Sequence, residues 1–104
     1  MTLVYDVIPR RLYDVLTELT HQQQLDLALT VAMRDWIRLK RKEASEERQH
    51  FEEKWGMGFD EFKTKWNADL ILNRHSYEVE KDFWDWEAAV TDEHHLDKLS
   101  ENLW

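Results

Sequence analysis

Two short spacings in this chain supply donors for a metal ion: Glu47-x-x-His50 and Asp92-x-x-His95. A carboxylate and an imidazole three residues apart share one face of a helix. A di-iron or di-manganese centre uses two such pairs plus single Glu residues from two further helices, all facing a bundle core. Here Glu47 and His50 fall in the most polar stretch, KRKEASEERQH, and Asp92 and His95 lie near the end. With 22 Asp+Glu and 5 His in 104 residues, the spacing arises readily on solvated helix faces. His94 and His95 are adjacent, so on a helix they point about 100° apart and do not share an ion. The chain has no Cys, hence no thiol nucleophile and no cysteine-type zinc site. It has no G-x-S-x-G and no Gly-rich phosphate loop. The expectation is no catalytic residue, no metal and no cofactor. A metal-dependent helical enzyme stands as an alternative that rests on the two carboxylate–His pairs.

The basic residues suggest a different chemistry. Arg38-Leu39-Lys40-Arg41-Lys42 is one basic run and Arg10-Arg11 another. Residues Thr2 to Ile8 (TLVYDVI) read as a short strand or as an extended arm, because they are β-branched and aromatic and precede Pro9. A lone strand pairs with another molecule. The order strand, Pro-led helix, helix resembles a ribbon-helix-helix module, which dimerises through its strands and lays them in the DNA major groove. On that alternative the chain is a DNA-binding transcriptional regulator, with Arg10, Arg11, Arg38, Lys40, Arg41 and Lys42 on DNA. The strand faces are Thr2, Val4, Asp6 and Leu3, Tyr5, Val7. Neither carries the Arg, Lys, Asn or Gln that reads base edges. The competing reading makes the basic run a solvated helix face paired with nearby acids.

A third chemistry is protein recognition. Residues 1–42 hold seven basic and five acidic side chains, and residues 43–104 hold seven basic and seventeen acidic, balances of +2 and −10. An acidic half of this size repels nucleic acid and attracts basic protein surfaces. Of the six Trp, only Trp36 lies outside it; Trp55, Trp66, Trp84, Trp86 and Trp104 lie within. Large rings bury roughly 150–250 Å² each, so the acidic half reads as ordered. The predicted organisation is residues 1–55 as a strand and helix-helix dimerisation part and residues 56–104 as an acidic, Trp-rich partner-binding part. Trp55, Phe59, Phe62, Trp66, Phe83, Trp84 and Trp86 are the expected anchors, since Trp is enriched at binding hot spots. Glu78, Glu80, Asp82, Asp85 and Glu87 supply the negative charge.

The elements that must position these residues follow from periodicity. The pattern predicts a mostly α fold with about five helices, one of them long, plus the short N-terminal β-strand used in dimerisation. Pro9 suits a first helical turn, and Leu12, Val15, Leu16 and Leu19 carry a helix over 9–19. Thr20 and Gln23 fit a capping box that opens a second helix. Leu25, Leu29, Ala32, Trp36 and Leu39 keep helical spacing, and Phe51 and Trp55 resume it after the polar stretch. Gly56 and Gly58 end this long helix. Phe59, Phe62 and Trp66 mark a short third helix, and Leu70, Ile71 and Leu72 an apolar plug. Ser76 caps a fourth helix bearing two stripes: Val79, Phe83, Trp86, Val90, and Tyr77, Trp84, Ala88. So wide an apolar surface predicts contact on two sides, core and partner. Thr91 is expected to cap a fifth helix carrying Leu96, Leu99 and Leu103. No apolar run of signal-peptide or membrane-spanning length occurs, so a cytoplasmic protein with no membrane contact is expected.

Three phrases carry a family resemblance: ALTVAMRDWIRLKRKE, EERQHFEEKWGMGFDEFKTKW and HSYEVEKDFWDWEAAV. Over about Leu25 to Val90 the chain resembles small, acidic, helical bacterial proteins encoded beside toxin genes and treated as antitoxins of toxin–antitoxin pairs. The resemblance implies a non-enzymatic homo-oligomer that binds and silences a cognate toxin, such as a ribonuclease or a nucleotide-transferring enzyme. It also implies an N-terminal part that dimerises, sometimes on operator DNA, and a C-terminal part that wraps the toxin.

Overall fold

A computed structural model describes residues 8–103, which form four helices. They are α1 (Arg10–Thr20), α2 (Leu25–Trp55), α3 (Phe59–Asn67) and α4 (Tyr77–Glu101). No strand occurs among the described residues. The strand expected over Thr2–Ile8 lies outside them except for Ile8, and Trp104 also lies outside.

The structure corrects three expectations. Thr20 does not cap a following helix. It ends α1: its hydroxyl donates to the Leu16 carbonyl at 2.7 Å and accepts from the Gln22 amide at 3.3 Å. His21 then turns the chain in the left-handed region at φ 57°, and α2 starts only at Leu25. The expected fifth helix is the continuation of α4. No Gly or Pro interrupts Tyr77–Glu101, and without a breaker the backbone ladder runs on through Thr91. Four helices therefore replace about five. Of the apolar plug, only Ile71 is buried; Leu70 and Leu72 are 71% and 82% exposed.

Other local readings match the structure. Ser76 caps α4 by accepting from the Val79 amide at 3.3 Å. Gly56 closes α2 at φ 67°, its amide donating to the Glu52 carbonyl at 2.8 Å. Gly58 has φ −78° and precedes α3, an ordinary conformation for any residue. A Cβ at either glycine meets nothing within 4 Å. Backbone conformation alone therefore sets the effect of substitution. Gly56→Ala should cost about 1 kcal/mol, whereas Gly58→Ala should be neutral or stabilising by up to about 1 kcal/mol. Urea unfolding of the two variants checks the opposite signs.

α2 and α4 run antiparallel. Ion pairs fix their register: Lys54–Asp82 at 2.6 Å, Arg48–Glu93 at 2.9 Å and Arg41–Asp97 at 2.6 Å. Arg48 also bonds Glu52 at 2.7 Å. The hydrogen bonds to Glu93 and then Glu52 raise its pKa above the usual guanidinium value. Ala44 and Ala89 are buried between the two helices, small side chains that permit close approach. α1 folds back on the start of α2 as a helical hairpin, and the Tyr13 hydroxyl donates to the Gln23 carbonyl at 2.6 Å.

The core sits at one end, where the end of α2, all of α3 and the start of α4 meet. Phe51, Phe59, Phe62, Ile71 and Trp86 are its buried members, with Trp55, Met57, Trp66, Val79, Phe83 and Val90 packed around them. Trp86 is the hub. Its ring lies 5.0 Å from Phe62, 5.4 Å from Phe59 and 5.7 Å from Phe51, centroid to centroid. This core draws on both sides of the 55/56 division. The molecule is a rod of 61 × 25 × 22 Å, with the rings of this core gathered at one end.

Candidate partner-binding surface

The two stripes of α4 part company. Val79, Phe83, Trp86 and Val90 face the core. Tyr77 and Trp84, seven residues apart and so on one face, are 75% and 62% exposed. Ala88, one turn further along, is exposed as well. Both aromatic rings project from a helix whose opposite side is locked into the protein interior.

Beside this face runs a groove of about 490 Å³ between α2 and α4. Ala44, Ala88 and Ala89 line it, and their small size is what opens it. Glu43 and Glu47 border it from α2, and Asp85 and Asp92 from α4. Lys40 offsets Glu43 at 3.2 Å, and Lys81 pairs with Asp85. That hydrogen bond raises the Lys81 pKa, so it stays protonated. Among the described residues no cation lies within ion-pair distance of Glu47 or Asp92. The groove therefore presents two unneutralised carboxylates over an apolar floor, a setting for a Lys or Arg of another protein.

The expected anchors separate by depth. Phe59, Phe62 and Trp86 are buried core, so they do not present a surface. Trp55, Trp66 and Phe83 are partly buried against that core. The Trp55 indole donates to Asp82 at 3.1 Å, and Trp66 stacks on Phe83 at 4.6 Å. Trp84 alone of the seven is open to a partner. The expected charges are also partly committed. Asp82 serves Lys54 and Trp55, Asp85 serves Lys81, Glu87 lies 3.8 Å from Lys63, and Glu80 lies 3.9 Å from His75. Glu78 faces solvent in the first turn of α4.

In sequence an aromatic stripe looks alike whether it faces a core or solvent, so Phe59, Phe62 and Trp86 group with Trp84. Tyr77, Glu47 and Asp92, which border this face and groove, are not among the expected anchors and charges. The Tyr77–Trp84 spacing marked the first of these, and nothing in the sequence marked the groove, which depends on the α2–α4 register.

The other two chemistries are placed as follows. Each cation of the basic run has a carboxylate within 4 Å: Arg38 with Asp35, Lys40 with Glu43, Arg41 with Asp97 and Lys42 with Glu46. Arg10 pairs with Asp14 at 3.8 Å, and Arg11 is exposed. Glu47, Asp92 and His95 line one groove, while His50 packs edge-on against Phe51. Among the described residues no group of three or more His, Asp or Glu is placed to hold a metal ion. None of the described helices is long and apolar enough to cross a membrane. Compared with known protein families, with curated proteins and with solved structures, the chain matches none at a significant level.

Proposed function

We propose that this chain is an antitoxin-like inhibitor: a non-enzymatic binding protein that neutralises a basic partner enzyme through the outer face of α4 and the acidic groove beside it. One observation carries the reading. Trp84 stands 62% exposed on a helix anchored from behind by Trp86. Burying an aromatic side chain is worth roughly 1.5–3 kcal/mol, so an ordered Trp left in water is a binding group in waiting.

The mechanism is occlusion. The Trp84 ring fills an apolar pocket of the partner, with Tyr77 beside it. Glu47, Asp92 and Glu78 meet the cations that the enzyme uses for RNA or nucleotide phosphate. Opposite charge speeds the encounter, and the desolvated ring holds the complex. α4 is already folded around its core face, so no ordering cost attaches to that helix on binding.

Retention on the tagged chain from lysate of its source tests this. The expected result is one small basic protein, held at moderate salt and released at high salt, whose enzymatic activity falls when the chain is added back. Retention of nothing, or of a protein whose activity is unaffected, overturns the reading.

A further inference from the structure

The acidic groove between α2 and α4 continues into a second groove on the same face of the helix pair. The second, of about 450 Å³, lies between Leu29, Met33 and Trp36 of α2 and Leu99 and Leu103 at the end of α4 and just past it. Among the described residues no ionisable side chain lines it. The two abut: the Lys40 ammonium of the acidic groove lies over the Trp36 ring of the apolar one, 4.6 Å from its centroid. Together they make one open trough, acidic at one end and apolar at the other, floored by buried Ile37, Ala44 and Ala89.

Both walls of the trough keep one rhythm. α2 supplies Leu29, Met33, Trp36, Lys40, Glu43 and Glu47, at steps of four, three, four, three and four. The opposite wall supplies Asp85, Ala88, Asp92, His95, Leu99 and Asn102, at steps of three, four, three, four and three. Alternating steps of three and four are the seam of a coiled coil, whose residues frame holes for the side chains of a facing helix. The holes recur about every 5 Å, which is the rise between seam residues of another helix. Same-face side chains of an extended strand recur at roughly 6.6 Å and fall out of step. From Leu29 to Glu47 the seam runs about 27 Å.

We propose that this trough is the seat of a single amphipathic helix from the partner enzyme, which completes a three-helix packing with α2 and α4. The partner helix is apolar where it meets Met33, Trp36 and Leu99, and it carries Lys or Arg where it meets Glu47 and Asp92, the two carboxylates left without a countercharge. Charge complementarity selects this occupant: a wholly apolar helix leaves those carboxylates buried and unpaired, and a wholly basic one strands its cations over the apolar half. A second copy supplies no such helix. α1, at eleven residues, spans about 16 Å and is too short, and α2, α3 and α4 are joined in their own core. The inference rests on the antitoxin-like reading for the identity of the partner and names the element that partner contributes.

Synthetic helical peptides of about 19 residues test the trough without the enzyme. Two carry Leu at the seam positions of one half and Arg at those of the other, in the two possible orders. Two controls carry Arg at every seam position, or Leu in one half and Glu in the other. Fluorescence anisotropy of the labelled peptides against the full chain reads binding. The expected result is that one Leu–Arg peptide binds one to one, at least about tenfold tighter than either control. Trp36→Ala, and separately Glu47→Lys with Asp92→Lys, should each weaken it about tenfold or more with the helical circular dichroism unchanged, because none of the three belongs to the aromatic core. Leu72→Ala, on the exposed turn before α4, should leave it unchanged. Failure of both Leu–Arg peptides to bind, as a trough filled by residues 1–7 or by a second copy would produce, overturns the proposal. So does binding that the all-Arg peptide matches, or that Trp36→Ala leaves intact. If capture from lysate yields no enzyme while a Leu–Arg peptide binds in this way, the antitoxin-like reading falls and the helix seat stands. If a captured enzyme is not displaced by saturating peptide, the helix seat falls as its docking site and the antitoxin-like reading stands.

Discussion

Trp86→Ala should lower the free energy of unfolding by about 3–5 kcal/mol, a large share of the 5–15 kcal/mol typical of a domain. Trp86 is fully buried and touches three Phe rings, one near the end of α2 and two on α3. Truncation removes the largest buried side chain and leaves a cavity that Phe51, Phe59 and Phe62 border. A small core cannot collapse into such a space without moving α3. The indole N–H contributes a smaller term of opposite sign, because it is buried and donates to no acceptor among the described residues. A buried donor without a partner costs about 1–3 kcal/mol. Trp86→Phe removes that donor along with part of the ring, so it should cost clearly less than Trp86→Ala. Urea titrations followed by near-ultraviolet circular dichroism measure both. A loss below about 1 kcal/mol for Trp86→Ala would mean that α3 and α4 are held by something other than this ring.

Trp84→Ala should behave in the opposite way. Its ring is mostly in water, so the stability of the free chain should change by no more than about 0.5 kcal/mol. Its affinity for the partner enzyme should fall by more than about 2 kcal/mol, roughly thirtyfold, if the ring is the central anchor. Titration calorimetry with the captured partner reads the loss directly. Glu47→Gln with Asp92→Asn should act mainly on the association rate and its salt dependence, the signature of steering charges. An unchanged affinity for Trp84→Ala would remove α4 as the binding face. The same chemical change two residues apart thus separates a folding residue from a recognition residue.

The elements of the fold were largely legible from side-chain type. Gly56 marked the end of α2 because its left-handed conformation excludes most other residues. Ser76 marked the start of α4 because its hydroxyl competes for a free amide. Thr20 misled because hydroxyl groups bond carbonyls behind them as readily as amides ahead, and Thr20 does the former. Thr91 misled for another reason: it lies inside an uninterrupted helix, with no Gly or Pro before it to end α4. The site was less legible. Phe62 and Trp84 carry the same kind of ring in the same kind of acidic context, and only the packing of α3 on α4 assigns one inward and one outward. The acidic groove depends on Glu47 and Asp92 coming opposite each other, a register set by ion pairs 28 to 56 residues apart in sequence.

α2 passes from a packed interior to an open end within one unbroken helix, with Phe51 in the aromatic core and Leu29 beside water. Backbone amides along it are chemically alike, yet the work needed to expose each differs. Near Phe51 an amide opens only when the core itself is lost. Near Leu29 it opens by local unwinding, which displaces little more than α1. Amide hydrogen exchange should therefore slow steadily along α2 toward Trp55. Covering the open end would flatten that gradient, and the exchange pattern of a single helix would then record whether its far end is occupied.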